Sequence, residues 1–196
     1  MLRYPEHSLW IIVLAYHLLS RLAYVVGVGV ALVKQDREQF FTRRYGADEG
    51  FRRFRRMASI IMNNDALSFV LLCLVTRQTL VLPVPASVLV AGGVLLMLAG
   101  VSVKLWAAAR LGPPAYYWHN FFVPAEPVMP NPPGPYRFLK NPMYTLGYLH
   151  AYGFALALGS WIGLVAAMLD QAAILAFHHR VEKPHFDQLM SGVARR

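Results

Sequence analysis

The sequence predicts an all-α bundle of about five membrane-spanning helices, and three features predict it. Apolar runs long enough to cross a hydrocarbon core of about 30 Å recur along the chain. Hydrophobic residues make up 57% of its 196 residues and charged ones only 15%, with a mean hydropathy of +0.41. One or two soluble domains of this length would not show that balance. Finally, most charges fall in the segments between the apolar runs, where they set topology and attract anionic lipid head groups. The net charge of +9 therefore reads as membrane-facing, not as a nucleic-acid footprint. Cys73 is the only cysteine, so neither an intrachain disulfide nor a cysteine metal cluster is available.

The first run, Leu9 to Val33, has 25 residues, enough for a tilted span. Its length, and Pro5 and Glu6 ahead of it, predict a retained helix in place of a cleaved leader. His17 and Arg21 lie within it. An arginine at mid-span is costly in lipid and must face the protein interior or a wet cavity. Arg21 is therefore either a functional cation able to hold a phosphate or the partner of Asp65 or Asp170. Gly27, Gly29 and Ala31 give the run a smooth face for close packing. Gly27-Val28-Gly29 lies inside a span with no strand before it, so it is not a nucleotide fingerprint, and no Rossmann domain is expected.

Residues 34–56 form a polar break with eight Lys/Arg against four Asp/Glu. It ends in FRRFRRM, where Phe51 and Phe54 share a helical face beside four arginines. The pattern suits a segment lying in the plane of an anionic lipid surface, and a cytoplasmic loop that merely sets topology explains the charge equally well. A second span is expected over Met57 to Val75, with Asn63, Asn64 and Asp65 turned toward other helices or water. The short connector 77–85 carries a single arginine. A third span is expected over Ala86 to Ala109, and Lys104, Trp106 and Arg110 read as an interfacial anchor. Residues 1–110 thus hold three spans. A connector follows over 111–141 with eight of the 13 prolines; a loop this long with its own aromatics is functional or packed back on the protein. A helical hairpin is expected over 142–177, turning at Gly159-Ser160, and a polar tail over 178–196.

Of the 19 Lys/Arg, eight lie in the first loop and eight from Lys104 onward. Five spans with the N-terminus outside then put loop 34–56, connector 111–141 and the tail together in the cytoplasm.

The chemistry concentrates in Gly134 to Gly153, GPYRFLKNPMYTLGYLHAYG. Asn141 is placed to cap a helix with Pro142 in its first turn. With Arg137 and Lys140 beside it, that helix start is either a seat for a ligand anion or a capped membrane helix with basic anchors. Tyr144, Tyr148 and Tyr152 recur every four residues and define a helical stripe, with Tyr116, Tyr117 and Trp118 just upstream. Aromatic faces attract cations by about 0.5–2 kcal/mol each, so they suit a sulfonium or choline-like group, or else a packing surface. Glu182 follows the last run, flanked by Arg180, Lys183 and His185, as a ligand for an amine or hydroxyl or as a solvated tail carboxylate. The groups able to take a proton in this half are His119, His150 and Glu182. His178 and His179, adjacent on a helix, point apart and make a poor metal pair.

Asn141-Pro142-Met143-Tyr144 followed by Gly147 resembles the NPMYxG signature of phosphatidylethanolamine and phospholipid N-methyltransferases. Glu182-Lys183-Pro184 resembles their EEP segment, with lysine for the second glutamate. The related isoprenylcysteine carboxyl methyltransferases usually read RHPxYxG at the first position, a pattern this chain lacks. The resemblance covers roughly residues 98–190. It implies an integral-membrane methyltransferase that uses S-adenosylmethionine without a Rossmann domain, with the cofactor between the NPxY helix and the acidic segment. It further implies Asn141, Pro142, Tyr144, Gly147 and Glu182 as cofactor residues, with Lys140, Tyr148 and His185 beside them and Gly100 as the match to a glycine-containing cofactor motif. The implied reaction is displacement of the sulfonium methyl by the amine of a membrane phospholipid. The alternatives are a prenylated acid or another small hydrophobic acceptor, or a non-enzymatic membrane scaffold.

Overall fold

The computed structural model describes residues 7–123, 134–139 and 141–193, with side chains described for 8–123, 134–139 and 141–189. Among these residues every regular element is helical. Helix α1 (His7–Leu22) passes through a π-turn at Ala23–Val28 into α2 (Gly29–Glu38). A short α3 (Phe40–Tyr45) leads to α4 (Ala47–Val75), and α5 (Ala86–Tyr116) follows a brief connector. The chain then folds through short 3-10 turns into α6 (Leu149–Ala157), α7 (Trp161–Phe177), a π-turn at His178–Glu182, and α8 (Lys183–Val193).

Four stretches are long and apolar enough to cross a membrane: Ser8–Glu38, Ala47–Val75, Ala86–Phe121 and Trp161–Leu189. Leu19, Leu95, Leu105 and Met168 stand out of the bundle well exposed, as expected where hydrocarbon is the solvent. The fifth traverse is α6, only nine residues preceded by one 3-10 turn at Leu146–Tyr148. It packs along α5. A Cβ on Gly100 would strike the His150 backbone nitrogen, and one on Gly153 the Met97 nitrogen. The two backbones therefore touch along a glycine seam. Gly159, at φ +61°, makes the reversal between α6 and α7. Its carbonyl accepts from Leu80 N at 2.7 Å, and Leu158 O accepts from Gln78 N at 2.9 Å. The 77–85 connector and the α6–α7 turn thus share one end of the bundle.

The other end gathers the remaining connections. Gln35 Nε2 donates to Phe121 O at 3.2 Å, and His185 Nδ1 lies 2.7 Å from Asp36 Oδ1. Loop 34–56, the start of the 111–141 connector and the tail therefore meet on a single face, the grouping that the charge count predicts.

Three expectations need correction. The helix does not begin at Pro142: Asn141 Oδ1 accepts from Tyr144 N at 3.4 Å, Gly147 N donates to Pro142 O at 2.8 Å, and α6 proper starts only at Leu149. The asparagine closes a turn ahead of the 3-10 segment Leu146–Tyr148, so Tyr144, Tyr148 and Tyr152 do not share one α-helix and do not form one stripe. FRRFRRM is not a segment lying on a lipid surface, because it opens α4. Phe54 is fully buried against Phe41, Trp118 and Phe122, and Phe51 packs on His119. Only the arginines face out. Lys104 leaves the expected interfacial anchor and lines an internal cavity.

Candidate functional site

Glu182 is the centre of the site. It is buried at the π-turn that ends α7, where the widened helix turns the carboxylate inward. Trp118 Nε1 donates to Glu182 Oε1 at 2.6 Å, and Tyr144 OH donates to the same oxygen at 2.8 Å. His178 Nδ1 sits 2.6 Å from Oε2. Each partner comes from a different part of the chain. Gly112, at φ +76°, kinks α5 before Pro113-Pro114, and the chain beyond it sets Trp118 in a left-handed conformation at φ 57°. That conformation costs a non-glycine residue on the order of 1–3 kcal/mol, and it brings the indole N–H to the carboxylate. The turn closed by Asn141 delivers Tyr144. Burial and the adjoining carboxylate hold the Tyr144 phenol well above its ordinary range, so it remains a donor. Tyr136 is pushed up by burial and then by the same carboxylate, and its hydroxyl has no partner among the described residues. The site has one donor still to be engaged.

A cavity of about 390 Å³ opens beside this centre, within the span of small-molecule sites. Tyr116, Trp118, Tyr144 and Tyr148 form its aromatic end, and Arg21, Asp65, Asp170, Lys104 and His150 supply charged or titratable groups. His150 Nδ1 lies 2.5 Å from the Gly147 carbonyl. A carbonyl only accepts, so Nδ1 carries the proton and Nε2 of the neutral ring is free to take one.

Arg21 belongs to an ion cluster on the cavity wall. Its Nη2 is 2.7 Å from Asp65 Oδ2 and its Nε is 2.8 Å from Asp170 Oδ1. His17 Nε2 lies 3.3 Å from Asp170 Oδ2, while His17 Nδ1 meets Ser68 Oγ at 2.9 Å. Both carboxylates expected as partners are engaged at once. Tyr16, Ser20 and Asn64 add hydrogen bonds between α1 and α4.

The sequence-derived residues divide accordingly. Glu182 and Tyr144 meet as expected, and Tyr148 and His150 line the adjoining cavity. Asn141 and Pro142 build the turn beneath Tyr144. Gly147 allows close approach: a Cβ there would press on Pro142 O and Lys104 Cβ. Gly100 is engaged in the α5–α6 seam. His119 packs against Phe51, away from the cavity, with Nδ1 unpartnered among the described residues. His185 stacks on Phe121 at 3.7 Å between ring centroids and ties the tail to α2. Lys140 lies outside the described residues. Sequence reasoning placed Trp118 only in an aromatic group and missed Tyr136 and Lys104. The one available signal was the Gly112-Pro113-Pro114 break, which returns Trp118 toward the tail.

A family model described as phospholipid methyltransferase matches residues 88–191, a stretch that contains Trp118, Tyr144 and Glu182. The chain is 31% identical over 182 residues to the phosphatidylethanolamine N-methyltransferase of Podospora anserina, covering 86% of this chain and 18% of that protein. It is 29% identical over 146 residues to the protein of that name from Candida tropicalis, covering 69% and 17%. With the Aspergillus flavus protein of that name it shares 31% over 140 residues, covering 69% and 14%. The chain thus spans less than a fifth of the length of these curated relatives. No solved structure matches it.

Proposed function

Because this chain belongs to the phospholipid methyltransferase family, we propose that it is a multi-pass membrane enzyme that methylates the amine of a phospholipid head group, with S-adenosylmethionine as donor. The observation that carries this reading is Glu182, a buried carboxylate held by Trp118 Nε1, Tyr144 OH and His178 Nδ1, with no lysine or arginine within 4.0 Å of it among the described residues. A carboxylate without a guanidinium or ammonium partner keeps its attraction for a cationic or hydroxyl-bearing ligand. The aromatic end of the cavity suits a sulfonium, and the unengaged Tyr136 hydroxyl adds a donor. The residues present fit this cofactor. When bound, S-adenosylmethionine supplies an electrophilic methyl group on a cationic sulfur.

Little covalent work falls to the protein. Glu182, Trp118 and Tyr144 hold and orient the donor, with Tyr148 on the same cavity wall. Burial of Glu182 behind Trp118 and Tyr144 keeps water from the carboxylate. A lipid ammonium must lose a proton before its nitrogen can attack, and in this reading His150, which lines the cavity with Nδ1 already bonded, accepts it at Nε2. Glu182 has both oxygens engaged and serves binding. The charge distribution supports a cytoplasmic Glu182 face, within reach of a soluble donor, with Arg52, Arg55 and Arg56 facing anionic lipid.

The test is methyl transfer from labelled S-adenosylmethionine to mixed lipids by purified protein in detergent. Label is expected on amino-phospholipids. Label confined to a carboxyl or thiol acceptor would replace the substrate, and absence of transfer together with absence of cofactor binding would favour a scaffold.

A further inference from the structure

Among the carboxylate oxygens of the ion cluster on the cavity wall, one has neither a hydrogen bond nor an ion pair among the described residues. Arg21 is shared between Asp65 and Asp170, and Asp170 has both oxygens engaged, by Arg21 and His17. Asp65 engages only Oδ2. Its Oδ1 is buried, in a side chain 5% exposed, and has no hydrogen-bond partner. A buried carboxylate oxygen without a donor is costly, so a ligand that supplies a donor there gains what the protein lacks.

Lys104 is its counterpart. It lines the same cavity from α5, and no carboxylate lies within 4.0 Å of its ammonium among the described residues. Lys104 and Asp65 are near enough for each to feel the other's charge, yet they form no ion pair. Their depths agree as well. Asp65 lies eight residues after Met57, where the basic opening of α4 ends, and Lys104 lies eight before the kink at Gly112. At 1.5 Å per residue both are about 12 Å along their helices from the Glu182 face.

The two helices that carry these charges stand apart. α5 packs along α6, and α4 packs on α1 and α7, whereas α4 and α5 make no extended contact. Met62, Ala66 and Val70 face the cavity from one side of the gap, and Met97 and Val101 face it from the other. The cavity therefore offers one unpaired carboxylate oxygen, one unpaired cation and apolar walls between two membrane helices.

We infer that Asp65 and Lys104 form the head-group subsite for a zwitterionic amino-phospholipid, in which Asp65 Oδ1 accepts from the lipid ammonium and Lys104 holds the phosphate. The inference rests on the reading of the acceptor given above. Free S-adenosylmethionine is also zwitterionic at its methionine end, but the apolar walls of the α4–α5 gap fit acyl chains, and Glu182 lies behind the aromatic end, bonded to Trp118 and Tyr144. The subsite leaves Arg21 with the role of orienting Asp65, because its guanidinium is already shared by two carboxylates.

The test is lipid retention by the full chain in detergent without cofactor, read by native mass spectrometry against phosphatidylethanolamine, phosphatidylglycerol and diacylglycerol. Wild type is expected to prefer phosphatidylethanolamine. Asp65→Asn should reduce its preference over phosphatidylglycerol by about tenfold, and Lys104→Met its preference for phospholipid over diacylglycerol by a similar factor. Lys104 is half-buried, so its variant keeps the test decisive even where Asp65→Asn fails to fold. Both preferences unchanged within about twofold would overturn the subsite. So would weaker S-adenosylmethionine binding with lipid preference intact, which would assign the pair to the cofactor. Retained lipid preference without any methyl transfer would instead refute the proposed function and leave the subsite standing.

Discussion

Two buried carboxylates, Asp170 and Glu182, follow one another along the last helical stretch but differ in chemistry. Asp170 is bound by the guanidinium of Arg21 as well as by His17 inside the membrane-crossing part of the bundle, whereas Glu182 is bound by an indole, a phenol and the imidazole of His178, with no guanidinium, at its polar end. A guanidinium neutralises the charge it touches, and a neutral donor positions a carboxylate while leaving its charge for a ligand. Burial alone therefore does not distinguish structural from functional acids here. The charge of the partners does.

Breaking the first centre should produce the largest effect. Arg21→Leu strands Asp65 and Asp170 in the interior, and removal of one partner of a buried pair costs about 3–5 kcal/mol. Thermal unfolding in detergent should fall sharply, with cofactor binding and lipid turnover lost in parallel. Loss of turnover alone in a stable protein would give Arg21 a direct role in lipid binding. At the second centre Tyr144→Phe removes one donor to a charged group, worth about 1.5–3 kcal/mol. It should weaken S-adenosylmethionine binding by about tenfold or more with little change in unfolding temperature. The smallest effect on binding is expected from His185→Ala, outside the cavity. It should lower stability through the lost Phe121 stack and Asp36 contact and leave cofactor affinity within about twofold, the scatter expected where no ligand contact is lost. A larger loss would bring His185 into the site.

Much of this arrangement was legible in the sequence. Apolar runs and charge placement give the bundle and the grouping of its polar segments. The meeting of Tyr144 with Glu182 follows from two motifs separated by one helical hairpin. The pairing of Arg21 was legible as well, since a cation in a span needs a partner and Asp65 and Asp170 were within reach. What escaped depends on tertiary contact. The Asn141-Pro142 pair looks like a helix start, but the Gly147–Pro142 hydrogen bond closes a turn and delays α6 to Leu149. Phe51 and Phe54 share a face whether they meet lipid or protein, and only Trp118 and Phe122, brought over by the kink at Gly112, decide for protein. Lys104 reads as an interfacial anchor until the gap between α4 and α5 gives it a cavity to face.

The central claim is that Glu182 holds a cofactor and not the fold. Isothermal titration of S-adenosylmethionine into wild type and Glu182→Gln tests it most directly, because glutamine retains an oxygen for Trp118 and Tyr144 while losing the charge. Saturable binding by wild type is expected, weakened by about 10–100-fold in the variant at an unchanged unfolding temperature. Equal affinity in the two proteins, or no binding by wild type at millimolar cofactor, would contradict it.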